Sequence, residues 1–169
     1  MAKPTVALAA VVEGFELKAA IHDHLRSIGY RLLDLGCYSR DRFATYPSAG
    51  ERLAYALYSG QADLGVICCN YGSSVCAGVA KFQGVCAFAS ASVRTAEMCR
   101  KLNGANVLCL GQAIVDPELA CEMVSAFVNA EFLDMEGVPE EVQDFRREAR
   151  DQLMARGEPP RQRELETLG

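Results

Sequence analysis

Strand-like and helix-like segments alternate five times between residues 5 and 130, and this alternation constrains the fold more than any other feature of the chain. Short apolar runs predict β-strands at residues 5–10, 30–35, 62–68, 85–89 and 106–110. Helical spacing of apolar residues predicts helices at residues 14–28, 47–60, 73–81, 92–102 and 116–130. Because the connections are short, we expect a three-layer, doubly wound, Rossmann-like α/β fold with a five-stranded parallel sheet.

A charged C-terminal segment follows, so we divide the chain into an α/β domain at residues 1–133 and an extension at residues 134–169. Within the extension, residues 139–156 predict a helix with one narrow apolar stripe. The stripe consists of Val142, Phe145, Ala149 and Leu153. We expect it to dock on a partner subunit, and packing on its own domain stays open as the alternative. Pro159 and Pro160 break the pattern, and we expect the last residues to be disordered or packed on a partner.

Composition and charge exclude several classes of protein. The chain has 169 residues, of which 50% are hydrophobic, and this fits one domain with a sizeable core. Its net charge is −5 and its basic residues are scattered, which argues against nucleic-acid binding. No run is long and apolar enough to span a membrane. Glu13 cuts the N-terminal apolar tract short of the length of a signal peptide, so we expect a cytoplasmic protein.

The eight cysteines predict free thiols rather than disulfides or a metal site. Most of them lie inside apolar runs, as buried thiols in a reducing cytoplasm do. The sequence holds no C-x-x-C pair, and its two histidines, His22 and His24, lie two apart on the surface of a predicted helix. This spacing does not match a zinc site, so we expect no bound metal.

The stretch V-I-C-C-N-Y-G-S-S-V-C-A-G-V-A-K at residues 66–81 carries the candidate chemistry. It places Cys69 at the carboxyl end of the third predicted strand, where ligands bind in open α/β sheets. The following turn brings backbone N–H groups into the same crevice, and the next helix N-terminus favours anions. These groups belong to Gly72, Ser73 and Ser74. From the residues alone, a buried structural thiol is the favoured interpretation of Cys69, and the turn also fits a simple helix cap.

Six motifs recur in an order that resembles one known family. They are G-F-E-L-K, G-Y-R-L-L-D-L-G-C-Y-S, T-Y-P, S-G-Q-A-D-L-G-V, C-N-Y-G-S-S and L-N-G-A-N-V-L-C-L-G. Over residues 4–133 this set resembles the type B ribose-5-phosphate isomerases and galactose-6-phosphate isomerases. The resemblance implies a five-stranded doubly wound fold and interconversion of aldose and ketose phosphates through an enediolate, without metal or other cofactor. It also implies dimers or tetramers whose active sites span the subunit interface.

The resemblance assigns roles to individual residues of this chain. Cys69 takes the position of the family's general base, and its loop, Asn70-Tyr71-Gly72-Ser73-Ser74, takes the position of the enediolate-binding loop. Tyr46 keeps the family's Tyr-Pro position, and Asn103 keeps an asparagine that contacts substrate. Tyr71 brings bulk into a loop where the family has small residues.

Several positions depart from the family pattern. Val11-Val12 replaces an Asp-His pair, and Glu13 is the one carboxylate beside it. Leu102 replaces a histidine linked to ring opening, which the galactose-6-phosphate branch also lacks in some members. The other departures are Thr45, Ala80, Ala113 and the stretch at residues 133–138. The cations left to compensate are Arg40, Arg42, Arg94, Arg146 and Arg147.

Three functions follow from this mixture. The first is an aldose–ketose isomerase for a sugar phosphate or a related small sugar, with Cys69 as base and Val11, Val12, Glu13 and Leu102 around the pocket. The second is a different thiol-based reaction on a more apolar carbonyl compound. The third is a non-catalytic binding module, or a subunit that completes the active site of a related but unlike chain. We expect a small-molecule substrate and a homodimer or homotetramer, with neither nucleic acid nor membrane as partner.

Overall fold

The computed structural model describes residues 3–41 and 44–163 as a three-layer α/β domain with a helical extension. Its strands are Thr5–Ala10 (β1), Arg31–Asp34 (β2), Leu64–Cys69 (β3), Ala87–Ala89 (β4) and Val107–Gly111 (β5). Its helices are Phe15–Ser27 (α1), Tyr46–Tyr58 (α2), Ser73–Val79 (α3), Val93–Asn103 (α4), Pro117–Asn129 (α5) and Glu140–Met154 (α6). The strands are parallel in the order β2-β1-β3-β5-β4, which confirms the predicted fold.

Local sequence signals set the helix starts. The Thr45 hydroxyl accepts a hydrogen bond from the Ser48 backbone N–H at 3.3 Å and caps α2. The Asp116 carboxylate does the same for α5, and Pro117 stands at the first position of that helix. Polar caps therefore begin these two helices just beyond the carboxyl edge of the sheet.

Two apolar cores cover the two faces of the sheet. One core joins the sheet to α1, α4 and α5, and the other joins it to α2 and α3. The three central strands, β1, β3 and β5, are buried almost throughout, because helices cover both of their faces. Their near-continuous apolar sequences follow from this double burial.

The chain reverses its direction of winding between β1 and β3. β2 lies on the outer side of β1, while β3 and the later strands lie on its other side. The carboxyl ends of β1 and β3 therefore border the switch-point crevice, where doubly wound sheets bind ligands. The Val11 N–H donates to the Cys68 carbonyl oxygen at 3.1 Å, which ties the two strand ends together.

The fourth strand begins at Ala87 rather than at residue 85, and Asn106 explains the difference. The Asn106 side-chain oxygen accepts from the Cys86 N–H at 2.8 Å, and its amide nitrogen donates to the Gly84 carbonyl at 2.7 Å. These bonds hold residues 84–86 as a turn against the start of β5, so the strand starts two residues later.

The end of the described chain returns to its own domain. The Gln83 N–H donates to the Glu158 carbonyl at 2.9 Å, and the Glu158 N–H donates to the Lys81 carbonyl at 3.1 Å. Arg163 pairs with the buried Glu51 on α2. Residues 157–163 therefore pack on the same chain in place of the predicted disorder, and their contact with a partner subunit stays a prediction.

Helix α6 lies beside α4 and leaves much of its apolar stripe uncovered. Phe145 is 70% exposed and Leu153 is 44% exposed. Docking of this stripe on a partner subunit stays a prediction. Over the part of the chain that the structure describes, none of the helices is both long and apolar enough to cross a membrane.

Candidate functional site

An open cavity of about 510 Å³ lies at the switch point between β1 and β3. Its lining residues come from the ends of β1 and β3 and from the starts of α2 and α3. They are Val11, Val12, Glu13, Ala44, Thr45, Tyr46, Cys69, Asn70 and Ser74. Seven of the predicted site residues therefore meet in one cavity, although the sequence placed them in three separate segments.

Cys69 is the one cysteine among the described residues that line this cavity. It is the last residue of β3, and its sulfur accepts a hydrogen bond from the Gly72 backbone N–H at 3.0 Å. The Ser74 hydroxyl donates to the same sulfur at 3.4 Å. Two donors aimed at one sulfur stabilise negative charge there, as proton abstraction by a thiolate requires.

The neighbouring Cys68 points to the opposite face of the sheet, as alternation along a strand dictates. Complete burial raises the pKa of its thiol well above the ordinary range. Cys68 is thus a structural thiol, and the two adjacent cysteines differ in their surroundings. All eight cysteines of the chain are free thiols.

A second unusual thiol lies on α3. A hydrogen bond with the buried Cys109 thiol lowers the pKa of Cys76 to about 7, and Cys76 is only partly buried. Cys76 does not line the cavity. Alkylating reagents are therefore expected to modify Cys76 as well as Cys69, so labelling alone does not identify the catalytic cysteine.

The turn after Cys69 is shaped by Gly72, which has a left-handed φ of +79°. A Cβ at Gly72 would lie 3.3 Å from backbone atoms of β5, so the close approach also favours glycine. The Gly72 N–H is used by the Cys69 sulfur. Of the N–H groups predicted to hold the enediolate, those of Ser73 and Ser74 are the two left for a substrate.

Tyr71, which the sequence analysis assigned to substrate binding, does not line the cavity. Its side chain is 63% exposed, and its backbone packs on Gly111 of β5, where a Cβ would lie 2.5 Å from the Tyr71 carbonyl carbon. Ser73 is exposed and does not line the cavity either.

The rim of the cavity is largely apolar. Val11 and Val12 follow β1 directly, and Glu13 supplies the one carboxylate among the lining residues. Gly14 fixes their path, because a Cβ there would lie 2.4 Å from the Cys68 carbonyl group. Tyr46 stands opposite at the start of α2 and is 48% exposed, which leaves its ring available to a ligand.

A second, smaller cleft of about 200 Å³ lies between α4 and α6. It contains the two remaining predicted residues, Leu102 and Asn103, at the last turn of α4. The full lining is Phe88, Leu102, Asn103, Phe145, Arg146, Ala149, Arg150 and Leu153. Within one chain, Leu102 and Asn103 are therefore separated from the Cys69 cavity.

Three arginines crowd around this second cleft. Arg146 donates to the Leu102 carbonyl oxygen at 3.2 Å, and Arg100 donates to the Ala105 carbonyl oxygen at 3.0 Å. The Arg150 guanidinium lies 5.3 Å from the centre of the Phe132 ring. Burial, and then the charge of Arg150, lowers the pKa of Arg100. The crowding concentrates positive charge that a bound anion would offset.

The sequence analysis predicted only part of this arginine cluster. Arg146 lines the cleft, whereas Arg147 points outward and pairs with Asp144 at 2.5 Å. Sequence analysis missed Arg150, although its i, i+4 spacing from Arg146 puts both on one helix face. That spacing was the available signal.

Of the other candidate cations, Arg40 and Arg94 line neither cavity. Arg40 pairs with Glu16 on α1, and Arg94 is exposed in the first turn of α4. Arg42 lies outside the described residues. Both histidines of the chain lie on α1. His22 contacts Asp23 at 3.1 Å, and His24 contacts the Ser125 hydroxyl at 2.7 Å. Within residues 3–41 and 44–163, no group of three or more His, Cys, Asp or Glu is arranged to hold a metal ion.

The comparisons with known proteins all indicate the same family. The family model described as Ribose/Galactose Isomerase matches residues 6–144. The chain is 30% identical over 128 residues to a D-erythrulose-4-phosphate isomerase of Pectobacterium atrosepticum, covering 76% of this chain and 84% of the relative. It is 30% identical over 142 residues to a 4-deoxy-4-sulfo-D-erythrose isomerase of a Clostridium species, covering 84% and 88% of the two chains.

The solved structures agree with the sequence relatives. The ribose-5-phosphate isomerase B of Mycoplasma genitalium with bound ribulose-5-phosphate superposes with a TM-score of 0.75 and 28% identity. The match covers 88% of this chain and 95% of that one. Sugar-phosphate isomerases and isomerases of related sugars are thus similar to this protein in both sequence and fold. The chain belongs to the ribose/galactose isomerase family.

Proposed function

We propose that this chain is an aldose–ketose isomerase that acts on a small anionic sugar through an enediolate, with Cys69 as the proton-transfer base. The observation that carries the proposal is the Cys69 thiol at the switch-point cavity, with hydrogen-bond donors at 3.0 and 3.4 Å from its sulfur. The isomerase activities named for the relatives support the same reaction class.

The proposed reaction moves one proton between adjacent carbons. The Cys69 thiolate takes the proton from carbon 2 of the aldose, and the C–H electron pair forms the double bond of the enediolate. The Cys69 thiol then returns a proton to carbon 1, which gives the ketose. Hydrogen bonds from the Gly72 N–H and the Ser74 hydroxyl stabilise the thiolate form of Cys69 at the start and at the end of this cycle.

A second proton must pass from the oxygen on carbon 2 to the oxygen on carbon 1. The Glu13 carboxylate and the hydroxyl groups of Ser74, Thr45 and Tyr46 line the cavity and are available for this transfer. The free N–H group of Ser74 at the start of α3 stabilises the negative oxygen of the enediolate. Tyr46 covers the substrate from the side of α2.

Recognition of the anionic end is proposed to come from a second copy of the chain. The Cys69 cavity has no Arg, Lys or His among its described lining residues, whereas the second cleft holds Arg146 and Arg150 beside Asn103. A homodimer or larger homo-oligomer that brings this cleft to the partner's cavity unites the base with the cations. The exposed Phe145 and Leu153 supply an apolar surface for that contact. A reducing cytoplasm, which keeps Cys69 as a thiol, is the compartment we propose.

The decisive test is hydrogen exchange from solvent into substrate carbon. The protein is incubated in deuterated buffer with D-erythrose 4-phosphate, D-ribulose 5-phosphate, D-ribose 5-phosphate and D-galactose 6-phosphate, and deuterium at carbons 1 and 2 is followed by NMR. We expect exchange with at least one of these sugars, and about a 10³-fold loss in the Cys69→Ala variant, because the general base is removed.

The matched control is Cys121→Ala. Cys121 lies on α5, where its thiol contacts the Ala20 carbonyl oxygen at 3.8 Å on the opposite side of the sheet from α2 and α3. This variant should exchange like the wild type. Absence of exchange with all four sugars, or equal exchange by Cys69→Ala, would contradict the proposal. Melting temperatures of both variants establish that they are folded.

A further inference from the structure

We propose that residues 157–163, which we call the strap, position the Tyr46 side chain at the Cys69 cavity. The strap ties helix α2 to the turn that follows α3, and Glu51 on α2 is the positioning residue to which it attaches. The inference rests on the proposed function, because it takes Tyr46 as a group that touches substrate. It concerns a part of the molecule beyond residue 144, where the family match ends.

The strap is attached to α2 through a buried carboxylate. Glu51 lies in the second turn of α2, and its side chain is only 8% exposed. One carboxylate oxygen accepts a hydrogen bond from the Arg161 backbone N–H at 3.2 Å, and the other pairs with the Arg163 guanidinium. Burial of a carboxylate is costly unless such partners are present, so the strap and this face of α2 stabilise each other.

The other end of the strap is attached to the turn after α3. The Gln83 N–H donates to the Glu158 carbonyl oxygen at 2.9 Å, and the Glu158 N–H donates to the Lys81 carbonyl oxygen at 3.1 Å. Gly157 begins the strap with a left-handed φ of +94°. A Cβ there would lie 2.4 Å from the Lys81 carbonyl oxygen, so this close contact requires glycine. The strap therefore reaches from the end of α3 to the middle of α2.

The two helices that the strap joins both line the Cys69 cavity. Tyr46 comes from the first position of α2, and Ser74 comes from the start of α3. Beside Tyr46 the helices are very close, because a Cβ on Gly78 would lie 3.0 Å from the Tyr46 carbonyl oxygen and 3.3 Å from its ring. Glycine offers little apolar surface to hold an aromatic ring. The position of Tyr46 therefore depends on other contacts that keep α2 against α3.

The first turn of α2 lies between the cavity and the strap. Thr45 and Tyr46 line the Cys69 cavity on one side. On the other side, the turn borders a groove of about 380 Å³ whose lining includes Pro159, Arg161 and Arg163 of the strap. When the strap is displaced, this turn loses its support on the side away from the cavity. The half-exposed Tyr46 ring then moves with the turn, and its contact with substrate is weakened.

A fluorescent reporter at position 46 tests this positioning without any substrate. The chain contains no tryptophan, so Tyr46→Trp introduces a single indole at the cavity. In this background, Glu51→Ala removes the attachment to α2, and Gly157→Ala forces the strap away from the Lys81 carbonyl oxygen. We expect each change to raise the acrylamide quenching constant of the indole about twofold, because position 46 becomes less ordered and more accessible.

The matched control for quenching is Glu118→Ala, which removes an exposed glutamate from α5 on the opposite side of the sheet. Quenching should be unchanged in this variant, and melting temperatures establish that each protein is folded. If Glu51→Ala does not fold, Arg163→Ala takes its place, because this side chain is about half exposed and lies outside α2. Unchanged quenching in folded strap variants, Gly157→Ala included, overturns the proposal.

Kinetics separate an effect through Tyr46 from a general loss of stability. The substrate is the sugar that exchanges fastest in the deuterium test. Glu51→Ala should raise KM about tenfold and change kcat less than about threefold, because Cys69 stays in place while Tyr46 is displaced. In the Tyr46→Ala background, Glu51→Ala should change KM less than about twofold, because the side chain that it positions is already gone. An equal effect in both backgrounds overturns the positioning role.

Failure of this proposal and failure of the proposed function give different results. Absence of Cys69-dependent exchange with every sugar contradicts the proposed function, and the quenching experiment still decides whether the strap orders position 46. An active enzyme whose KM is the same in wild type, Glu51→Ala and Gly157→Ala contradicts the positioning role and leaves the isomerase intact.

Discussion

The Cys69 cavity and the second cleft divide the requirements of one reaction between them. The cavity has a thiol with two donors, free backbone N–H groups and an apolar rim, which suit proton abstraction. The cleft between α4 and α6 has Arg146, Arg150 and Asn103, which suit recognition of an anion. Among the described lining residues, neither region holds what the other supplies. This difference is the reason for our proposal that chemistry and recognition meet when two copies of the chain combine.

The two regions also differ in how they are built. The cavity is formed at the ends of the buried central strands, where Gly14 packs against the backbone of Cys68. The cleft is formed largely by α6, which has no buried residue. This helix contacts α4 through long arginine side chains such as Arg146. The cavity is therefore preorganised within one chain, and the cleft is adaptable. A partner surface is expected to order the cleft more than the cavity.

The strongest test of this division is complementation between two inactive proteins. Cys69→Ala lacks the base, and the double variant Arg146→Ala/Arg150→Ala lacks the cations. After mixing under conditions that exchange subunits, half of the dimers are mixed, and one of their two sites carries both intact halves. We expect activity to rise to about a quarter of the wild-type value.

The control for complementation is each variant mixed with itself under the same conditions. Such mixtures should stay at the level of the single proteins. If the two different variants remain inactive after demonstrated subunit exchange, the base and the cations do not come from different copies. Mass spectrometry of differently tagged chains gives the extent of exchange.

The next effect is the loss of substrate affinity when one arginine is removed. Arg150→Ala should raise KM for D-erythrose 4-phosphate about thirtyfold, because a hydrogen-bonded charge pair contributes about 2 kcal/mol. Arg147→Ala is the matched control, since Arg147 points outward to Asp144 and should change KM less than about twofold. Steady-state kinetics measures both values. An equal effect of the two substitutions would remove the cleft from substrate recognition.

The sequence predicted the regular framework well because its signals are local. Apolar runs and capping residues such as Asp116 and Thr45 mark where strands and helices begin and end. Cys69 was placed correctly at a strand end because parallel strands carry their ligand edge at the carboxyl side. The two valines and Glu13 after β1 joined the same cavity for the same reason.

The second cleft was not predictable in the same way, because it depends on how α6 packs. Leu102 and Asn103 were assigned to the pocket from the resemblance, yet in one chain they line a separate cleft. Arg150 was missed because its i, i+4 spacing from Arg146 places both on one helix face but does not show that this face packs beside α4. Tyr71 was assigned to the pocket, but its side chain is exposed and does not line the cavity.

Two glycine substitutions compare the rigidity of the cavity with that of the cleft. They have the smallest predicted effect on activity. In Gly14→Ala the new Cβ would lie 2.4 Å from the backbone carbonyl of Cys68, which cannot rotate away. We expect a loss of about 3 kcal/mol in the free energy of unfolding, because overpacking against backbone forces the strand ends apart. In Gly104→Ala the nearest atoms belong to the flexible Arg150 side chain, also at 2.4 Å.

Gly104→Ala should therefore lose only about 1 kcal/mol, mainly from a left-handed φ of +63°. Urea denaturation measures both free energies, and kinetics of the folded fraction gives the effect on activity. Because Arg150 shifts to make room, Gly104→Ala should change KM by a few-fold and leave kcat near the wild-type value. Equal destabilisation by the two substitutions would show that the cleft is as rigid as the cavity, and its ordering by a partner would then have no structural basis.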